Sequence, residues 1–437
     1  MDLDRADREL TRRSYYAATA ARGEAYAPLA GDADCDVAIV GGGLAGLSAA
    51  LELAARGFAV RLLEAREVGF GASGRNGGQA IHGLACDQAT IEQQLGAADA
   101  RRIWDLSIEA LDLMRARIRE HAIDCDWRDG YLAVATSARK ARELFDASEH
   151  TERIYGYRQQ VIPPADLPRW IASDRYHGAV HDPRSGHLHP LKYTRGLARA
   201  AAAAGATLHE QTPVTALEPG PTVRLATPHG RLRARHVLLA GNVYLGGLVP
   251  ALEPRIMPVG TYIACTEALD PALAASLIPC GAAVCDTNFV LDYFRTTADH
   301  RLLYGGRVSY STVTPSDLAE SMRRRLVQTF PQLRAAAIEY AWGGFVDISM
   351  NRAPDFGRLE PAGAYAPNVY YLQGFSGHGL ALTGLAGKLV AEAIAGDAGR
   401  FDVFARLRHR PFPGGRLLRM PALVLGMAWY RMRDLVA

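Results

Sequence analysis

Three glycines near the start of the chain stand in the order G-x-G-x-x-G, which is the spacing of a loop that binds a pyrophosphate. Gly41 would make the tight turn, and Gly43 would let the backbone approach the phosphates. Gly46 would let the following helix lie close to a sheet, with the free N–H groups of that helix facing the anion. The residues predicted to contact the pyrophosphate are Gly41, Gly43, Leu44, Ala45 and Gly46.

An acidic residue stands where such a loop needs one for the ribose. Glu64, which precedes Ala65, comes about 20 residues after the first glycine and ends a short apolar run. A carboxylate there accepts a hydrogen bond from a ribose 2′-hydroxyl and disfavours a 2′-phosphate, so NADP is not expected. The apolar residues 37–40 supply the strand before the glycines. Together these features predict a strand–helix–strand unit that binds a dinucleotide.

The composition is that of an ordinary globular protein, with 437 residues, 49% of them hydrophobic and 22% charged. A formal net charge of +3, without a long basic run, argues against binding to nucleic acid. The six cysteines form no C-x-x-C pair and the N-terminus has no apolar signal region, so a cytoplasmic location is predicted. His187 and His189 alternate without a third ligand nearby, and no metal site is predicted.

The elements that must position these residues follow two patterns. Apolar strands that lead into helices recur around residues 36–65, 191–241 and 368–396, whereas residues 255–312 alternate like antiparallel strands. The predicted fold is α/β: a discontinuous Rossmann-type dinucleotide-binding domain, with an antiparallel-sheet substrate domain of the α+β kind. The predicted division is 1–30 as an N-terminal extension, 31–90, 165–250 and 345–400 as the dinucleotide-binding domain, 91–164 and 251–344 as the substrate domain, and 401–437 as a helical tail.

Several longer motifs carry a family resemblance. They are SYYAATA (14–20), GFGASGRNGGQ (69–79), TNFVLDYFRTTADHRLLYGG (287–306), SMNRAPDFGRL (349–359), GFSGHG (374–379) and the tail FPGGRLLRMPALVLGMAWYRMRDL. With them the chain resembles the FAD-dependent amine and amino-acid oxidases of the D-amino-acid oxidase, glycine oxidase and sarcosine oxidase class. Within that class it is most similar to the γ-glutamylputrescine oxidases. The matching stretches span nearly the whole chain.

The resemblance implies that the dinucleotide is FAD and that two further glycine-rich loops hold it. The first loop, GASGRNGG, would bring backbone amides to the diphosphate and to the isoalloxazine edge. The second, GFSGHG, would place a helix N-terminus beside the flavin pyrimidine, where it would stabilise negative charge at N1 and O2. Further cofactor contacts are expected from Ala72, Ser73, Arg75, Asn76, Gly77, Gly78, Val214, Gly241, Gly377, His378, Gly379 and Leu380.

Two departures from the sarcosine oxidases narrow the expected chemistry. Those enzymes carry a cysteine bonded to the flavin in the segment that reads FVDISMNRAP (345–354) here, and this segment has no cysteine. FAD is therefore expected to be bound non-covalently. Those enzymes also place a lysine, which clamps the substrate carboxylate, at the position of Ala381. An α-carboxylate buried without a cation would be costly, so the substrate is expected to be an amine with a remote carboxylate, as in γ-glutamylputrescine.

The substrate face is expected to come from the antiparallel block and from the GFSGHG turn. Aromatic side chains there would form a cage for an amine stem, and an arginine would bind the remote carboxylate. The candidates are Tyr293, Arg295, Tyr304, Arg307 and Trp342, with His378 in the turn. For each aromatic residue, core packing is the competing interpretation.

The implied reaction is hydride transfer from the α-carbon of a neutral amine to flavin N5. The imine then hydrolyses to an aldehyde and ammonia, and molecular oxygen is reduced to hydrogen peroxide. Two alternatives stay open: an L-pipecolate or other amino- or imino-acid oxidase or a quinone-linked dehydrogenase, and a non-catalytic flavin-binding module. The C-terminal segment PALVLGMAWYRMRDLVA is interpreted as a docked helix, with weak membrane contact as the alternative.

Overall fold

The computed structural model describes residues 14–23, 25–288, 290–309, 317–359 and 366–413, and gives the backbone alone for 246, 307–309 and 366. The strands are β1 (Ala33–Val40), β2 (Val60–Leu63), β3 (Gln79–Ala80), β4 (Arg128–Val134), β5 (Gln160–Ile162), β6 (Ala179–His187), β7 (Thr207–His209), β8 (Ala216–Glu218), β9 (Val223–Thr227), β10 (Gly230–Leu239), β11 (Ile256–Thr266), β12 (Ala283–Asp286), β13 (Tyr293–Thr296), β14 (Leu302–Ser309), β15 (Ile338–Ser349), β16 (Asp355–Leu359) and β17 (Ala366–Gln373). The α-helices are α1 (Tyr15–Thr19), α2 (Leu44–Ala55), α3 (Gln88–Leu95), α4 (Ala97–Glu120), α5 (Ala138–Tyr155), α6 (Pro190–Ala203), α7 (Pro271–Leu277), α8 (Leu318–Thr329), α9 (Leu382–Ile394) and α10 (Gly399–Ala405).

The first sheet is parallel at its centre, in the order β7–β2–β1–β10–β17. At one edge β16 joins antiparallel to β17, and β8 and β9 form an antiparallel arm on β10. Residues 37–40 of β1 are buried, as expected for a strand that is covered on both faces. Helix α2 packs against α6 and α9 on one face, and this layer holds the largest cluster of buried side chains. The predicted Rossmann-type unit is therefore confirmed.

The second sheet has the order β15–β11–β14–β13–β12–β4–β6–β3, with β5 on β6. Its neighbouring strands are antiparallel, except for β12 and β4. The long pairing of β11 with β15 lies at one end, and α8 packs on β14 and β15. The alternating pattern of residues 255–312 thus correctly predicted antiparallel strands.

The two sheets divide the chain differently from the predicted ranges. Strand β6 lies within the predicted dinucleotide-binding segment 165–250, yet it pairs with β4 and β5 of the second sheet. Helix α4 lies within the predicted substrate segment 91–164, yet its apolar face packs against α9. Periodicity identifies such elements without indicating which sheet they join. We propose that the domain boundary predicted between residues 164 and 165 falls instead at the end of β6, near His187.

The predicted tail 401–437 is described only up to residue 413. Helix α10 (Gly399–Ala405) forms the start of this range, and it packs against α9 and β16. Within the described ranges, none of the helices has both the length and the apolar character needed to span a bilayer. The segment predicted to dock or to touch a membrane lies outside the described residues.

Candidate cofactor and substrate site

Glycines let three backbone segments meet at the N-terminus of α2. A methyl group on Gly41 would lie 2.6 Å from the carbonyl oxygen of Ala240, and one on Gly46 would lie 2.1 Å from the carbonyl oxygen of Gly41. A methyl group on Gly43 would lie 2.8 Å from Ser73 Oγ. The cradle is therefore lined by backbone and by the small Ser73 side chain, as a pyrophosphate requires, and these residues fit a dinucleotide.

Glu64, the residue predicted to bind the ribose, also closes the glycine turn. Its Oε2 accepts a hydrogen bond from Gly42 N–H at 2.7 Å, and its Oε1 accepts one from Arg66 N–H at 2.8 Å. Burial raises the pKa of Glu64, against the opposing effect of these backbone donors. The backbone N–H of Thr212 donates to the Glu64 carbonyl at 2.8 Å, which places Val214 in the segment beside the acid.

The cofactor loop, residues 72–78, lies against the same helix N-terminus. Ser73 Oγ accepts a hydrogen bond from Leu44 N–H at 3.0 Å. The Asn76 side chain folds the loop on itself, since its Nδ2 donates to the Ala72 carbonyl at 2.9 Å and its Oδ1 accepts from Gly78 N–H at 2.8 Å. Arg75 and Asn76, unusual residues for a flexible linker, thus belong to a tightly bonded loop.

Three of the predicted substrate-face residues meet the cofactor loop from the second sheet. Trp342 Nε1 donates to the Arg75 carbonyl at 3.0 Å, and Arg295 Nε donates to the Gly77 carbonyl at 2.9 Å. The Tyr293 ring packs so closely on Gly77 that an added methyl group would lie 2.6 Å from it. Residues two apart on a strand share a face, which explains why Tyr293 and Arg295 of β13 arrive together. Their roles toward a substrate remain predictions.

The two other candidates on these strands have different outcomes. Tyr304 pairs with Phe294 across the strands, stacks on its ring at 5.4 Å, and shares a 2.9 Å hydrogen bond with Thr329 Oγ1. It therefore lies in the core on the opposite face, and the prediction that it faces the substrate is wrong. The backbone of Arg307 pairs with Tyr262, and its side chain lies outside the described part of the structure.

His378 ties the two glycine-rich loops together. The turn before α9 uses left-handed backbone at Gly377, with φ +82°. His378 Nε2 donates to the carbonyl of His82 at 2.8 Å, and His82 follows the cofactor loop in the chain. Burial lowers the pKa of His378 to about 4, so the imidazole is neutral at pH 7. The His378 imidazole therefore lies in the site as a neutral ring with a fixed orientation, and it contributes no positive charge.

The pH dependence of stability tests this assignment. Because the folded pKa of His378 lies below that of the unfolded chain, the unfolded state binds more protons between pH 6.5 and 4. Compared with a His378→Gln variant, the natural protein should lose about 1–3 kcal/mol of unfolding free energy as the pH falls through that window. Urea unfolding at pH 7.5 and 5.0 measures the difference. The exposed His229→Gln is the control, and parallel pH curves for His378→Gln and the natural protein would contradict the assignment.

The two alternating histidines have structural contacts. His189 Nδ1 accepts from Lys192 N–H at 3.2 Å and caps α6, while its Nε2 lies 3.0 Å from Thr19 Oγ1. His187 Nε2 donates to the Gly281 carbonyl at 2.9 Å. Over the described ranges, no group of three histidine, cysteine or acidic residues could hold a metal ion.

Sequence reasoning missed two buried acids that accept hydrogen bonds from backbone segments around the site. Asp347, at the end of β15, accepts from Gly374 N–H, and burial raises its pKa to about 7. Glu210 accepts from the N–H groups of Val68 and Tyr26, at 2.7 and 3.2 Å. An acid inside the apolar run FVDIS was the available signal for Asp347. Glu210 gave none, because its partners are backbone groups.

Comparison with known proteins identifies the family. The FAD-dependent oxidoreductase family (DAO) matches residues 36–393, which include the glycine turn, the cofactor loop and the His378 turn. The chain belongs to this family. It is 45% identical to gamma-glutamylputrescine oxidoreductase of Escherichia coli K12 over 96% of this chain and 98% of that one. It is 39% identical to the probable oxidoreductase OrdL of Haemophilus influenzae over 97% of each.

Solved structures share the fold at low sequence identity. Glycine oxidase from Geobacillus kaustophilus aligns with a TM-score of 0.72 at 24% identity, covering 86% of this chain and 99% of that chain. L-amino acid deaminase from Proteus vulgaris aligns with a TM-score of 0.71 at 17% identity, covering 89% of this chain and all of that one. These structures confirm the predicted fold. The family match and the 45% identical relative confirm the predicted FAD cofactor and enzyme class. Residues 345–354 contain no cysteine, so FAD cannot be bonded to a cysteine in that segment. A purely flavin-binding module is not supported.

Proposed function

We propose that this enzyme oxidises the C–N bond of an amine whose carboxylate lies far from the reacting nitrogen, as in γ-glutamylputrescine. The observation that carries the proposal is Ala381, which is 3% exposed beside the His378 turn, among apolar side chains of α9 and its neighbours. A carboxylate next to the reacting carbon would find no cation at this position. The 45% identity to gamma-glutamylputrescine oxidoreductase supports the same substrate class.

FAD supplies the hydride acceptor for this reaction. The residues of this chain hold and orient the reactants. Tyr293 and Trp342 present aromatic surface beside the cofactor loop, suited to an amine stem. Since Arg295 already donates to that loop, we assign the remote carboxylate to Arg307. The neutral His378 holds the loops without placing a charge near the amine. An imine product would leave for hydrolysis to an aldehyde and ammonia.

Anaerobic flavin bleaching tests the substrate class. We expect fast loss of the visible flavin absorbance with γ-glutamylputrescine, and slow or no loss with sarcosine and L-pipecolate. Putrescine is the matched control, because it has the same diamine stem without the γ-glutamyl group. Fast bleaching by sarcosine or L-pipecolate would contradict the proposal and mean that another cation replaces the missing lysine.

The acceptor is a separate part of the proposal, since we propose that molecular oxygen takes the electrons and yields hydrogen peroxide in the cytoplasm. Peroxide should form in one-to-one ratio with the aldehyde in air-saturated buffer. Turnover with a quinone, and none with oxygen, would instead make the enzyme a dehydrogenase.

A further inference from the structure

The short N-terminal helix α1 packs against side chains of the second sheet, although it precedes the family-matched residues 36–393. Ser14 caps it by accepting a hydrogen bond from Ala17 N–H. Tyr16 is fully buried and packs in one cluster with Ile263 and Trp342. Sequence reasoning placed these residues in an N-terminal extension. Their burial makes α1 part of the wall of the site.

The Tyr16 ring touches both side chains that hold the cofactor loop. Its phenolic oxygen accepts a hydrogen bond from Arg295 Nη2 at 3.1 Å. Its ring meets the Trp342 ring edge to face, with centroids 5.1 Å apart. Those two side chains donate to the carbonyls of Gly77 and Arg75. Tyr16, which lies outside the family-matched region, thus connects to the loop through two side chains, Arg295 and Trp342.

Arg295 carries a charge that its described surroundings do not neutralise. Arg295 is only 3% exposed, and its guanidinium donates hydrogen bonds to the Gly77 carbonyl and the Tyr16 phenol. Among the described residues, no carboxylate lies within 4 Å of its guanidinium. Burial, and next the charge of Arg295, lower the pKa of both His187 and His189 to about 3, so neither imidazole adds a competing charge. An unpaired buried cation is costly, so it calls for an anion in the complete site.

The position of Arg295 relative to the loop is fixed from both sides. A methyl group added to Gly78 would lie 2.9 Å from Arg295 Nη2 and 3.0 Å from its Nε. The guanidinium therefore lies directly on the backbone of the cofactor loop. Without the Tyr16 oxygen, Nη2 would lose its described acceptor and the side chain would be free to turn about its remaining bond to Gly77.

We propose that Tyr16 is a positioning residue, which orients Arg295 so that its positive charge stabilises the negative charge that FAD gains on reduction. The inference depends on FAD binding and on the proposed redox function, but not on which amine is oxidised. Electrostatic stabilisation by a pre-oriented cation is strongest where water is excluded, as it is around this buried guanidinium.

The midpoint potential of bound FAD tests the proposal, measured by chemical reduction of the FAD-loaded enzyme without substrate. In Tyr16→Phe, which removes only the accepting oxygen, we expect the equilibrium constant for two-electron reduction to fall about tenfold, which corresponds to a potential about 30 mV lower. Tyr15→Phe is the matched control. Its phenol donates to Asp299 at 2.6 Å and does not touch Arg295, so its potential should not change.

A second variant separates orientation from folding. Arg295→Gln removes the charge and should lower the potential further than Tyr16→Phe, while the double variant should match Arg295→Gln alone. An unchanged potential in Tyr16→Phe, or equal shifts in Tyr15→Phe and Tyr16→Phe, would overturn the proposal. So would additive shifts in the double variant, because Tyr16 would then act independently of Arg295. Because no amine is added, a wrong substrate class leaves this result unaffected.

Discussion

A Gly46→Ala variant is expected to fold into a protein that is purified without FAD and has no flavin absorbance. The added methyl group would lie 2.1 Å from the Gly41 carbonyl oxygen and 3.1 Å from Ile39 Cγ2. Neither the turn nor β1 can rotate away as a flexible side chain would, so α2 must move off the sheet. Overpacking of this kind costs about 1–3 kcal/mol or more. If this cost falls on the binding of FAD, about 3 kcal/mol lowers the FAD affinity roughly 100-fold.

The FAD content of the purified variant, measured from the ratio of flavin to protein absorbance, checks this expectation. Gly399→Ala is the control, because it makes the same change at the start of α10, where the nearest contact would be Asp397 Oδ1 at 3.7 Å. That variant should keep its FAD. A Gly46→Ala protein with full flavin content would contradict the close contact between α2 and the glycine turn.

An Asp355→Ala variant is expected to lose about 3–5 kcal/mol of unfolding free energy, the cost of breaking a buried ion pair on one side. Asp355 is fully buried at the start of β16. Its Oδ1 lies 3.0 Å from Arg255 Nη2 and accepts from Tyr371 Oη at 3.3 Å, and its Oδ2 accepts from Gln373 Nε2 at 2.9 Å. Removing the carboxylate leaves the Arg255 guanidinium without its anion. The three donors belong to β11 and β17 or their ends, so both sheets should be weakened.

Thermal and urea unfolding of the FAD-loaded protein measure the loss. Asp34→Ala is the matched control, since Asp34 also pairs with an arginine, Arg233, but at an exposed position where such a pair contributes little. We expect no measurable change in that variant. Equal unfolding midpoints for Asp355→Ala and Asp34→Ala would show that the buried cluster does not stabilise the fold.

The sequence predicted those parts of the site in which local geometry demands particular residue types. Gly41, Gly43 and Gly46 could be read directly, because the close approach of neighbouring atoms leaves no room for a side chain. The strand–helix–strand unit and the antiparallel block followed from periodicity. The alternation of Tyr293 and Arg295 was equally local, since it depends only on the two-residue repeat of a strand.

Long-range partners could not be predicted in the same way. Nothing around Tyr16 indicates that its phenol meets Arg295, which lies far away in the chain. Tyr304 failed as a site residue for the same reason, since the face of β14 that covers the core depends on how that strand pairs. The membership of β6 in the second sheet depends likewise on partners that are distant in sequence.

The strand order of the first sheet also sets when, during synthesis, the cofactor can be captured. Strand β10 pairs on one side with β1 and on the other with β17, with residues 237–239 opposite 369–371. The His378 turn and α9 follow β17. A nascent chain that has emerged only as far as β10 therefore has its glycine turn but lacks one wall of the site. At a synthesis rate of about 5–20 residues per second, the apolar edge of β10 waits on the order of 10 seconds for β17. The complete flavin site therefore forms only after most of the chain has been synthesised.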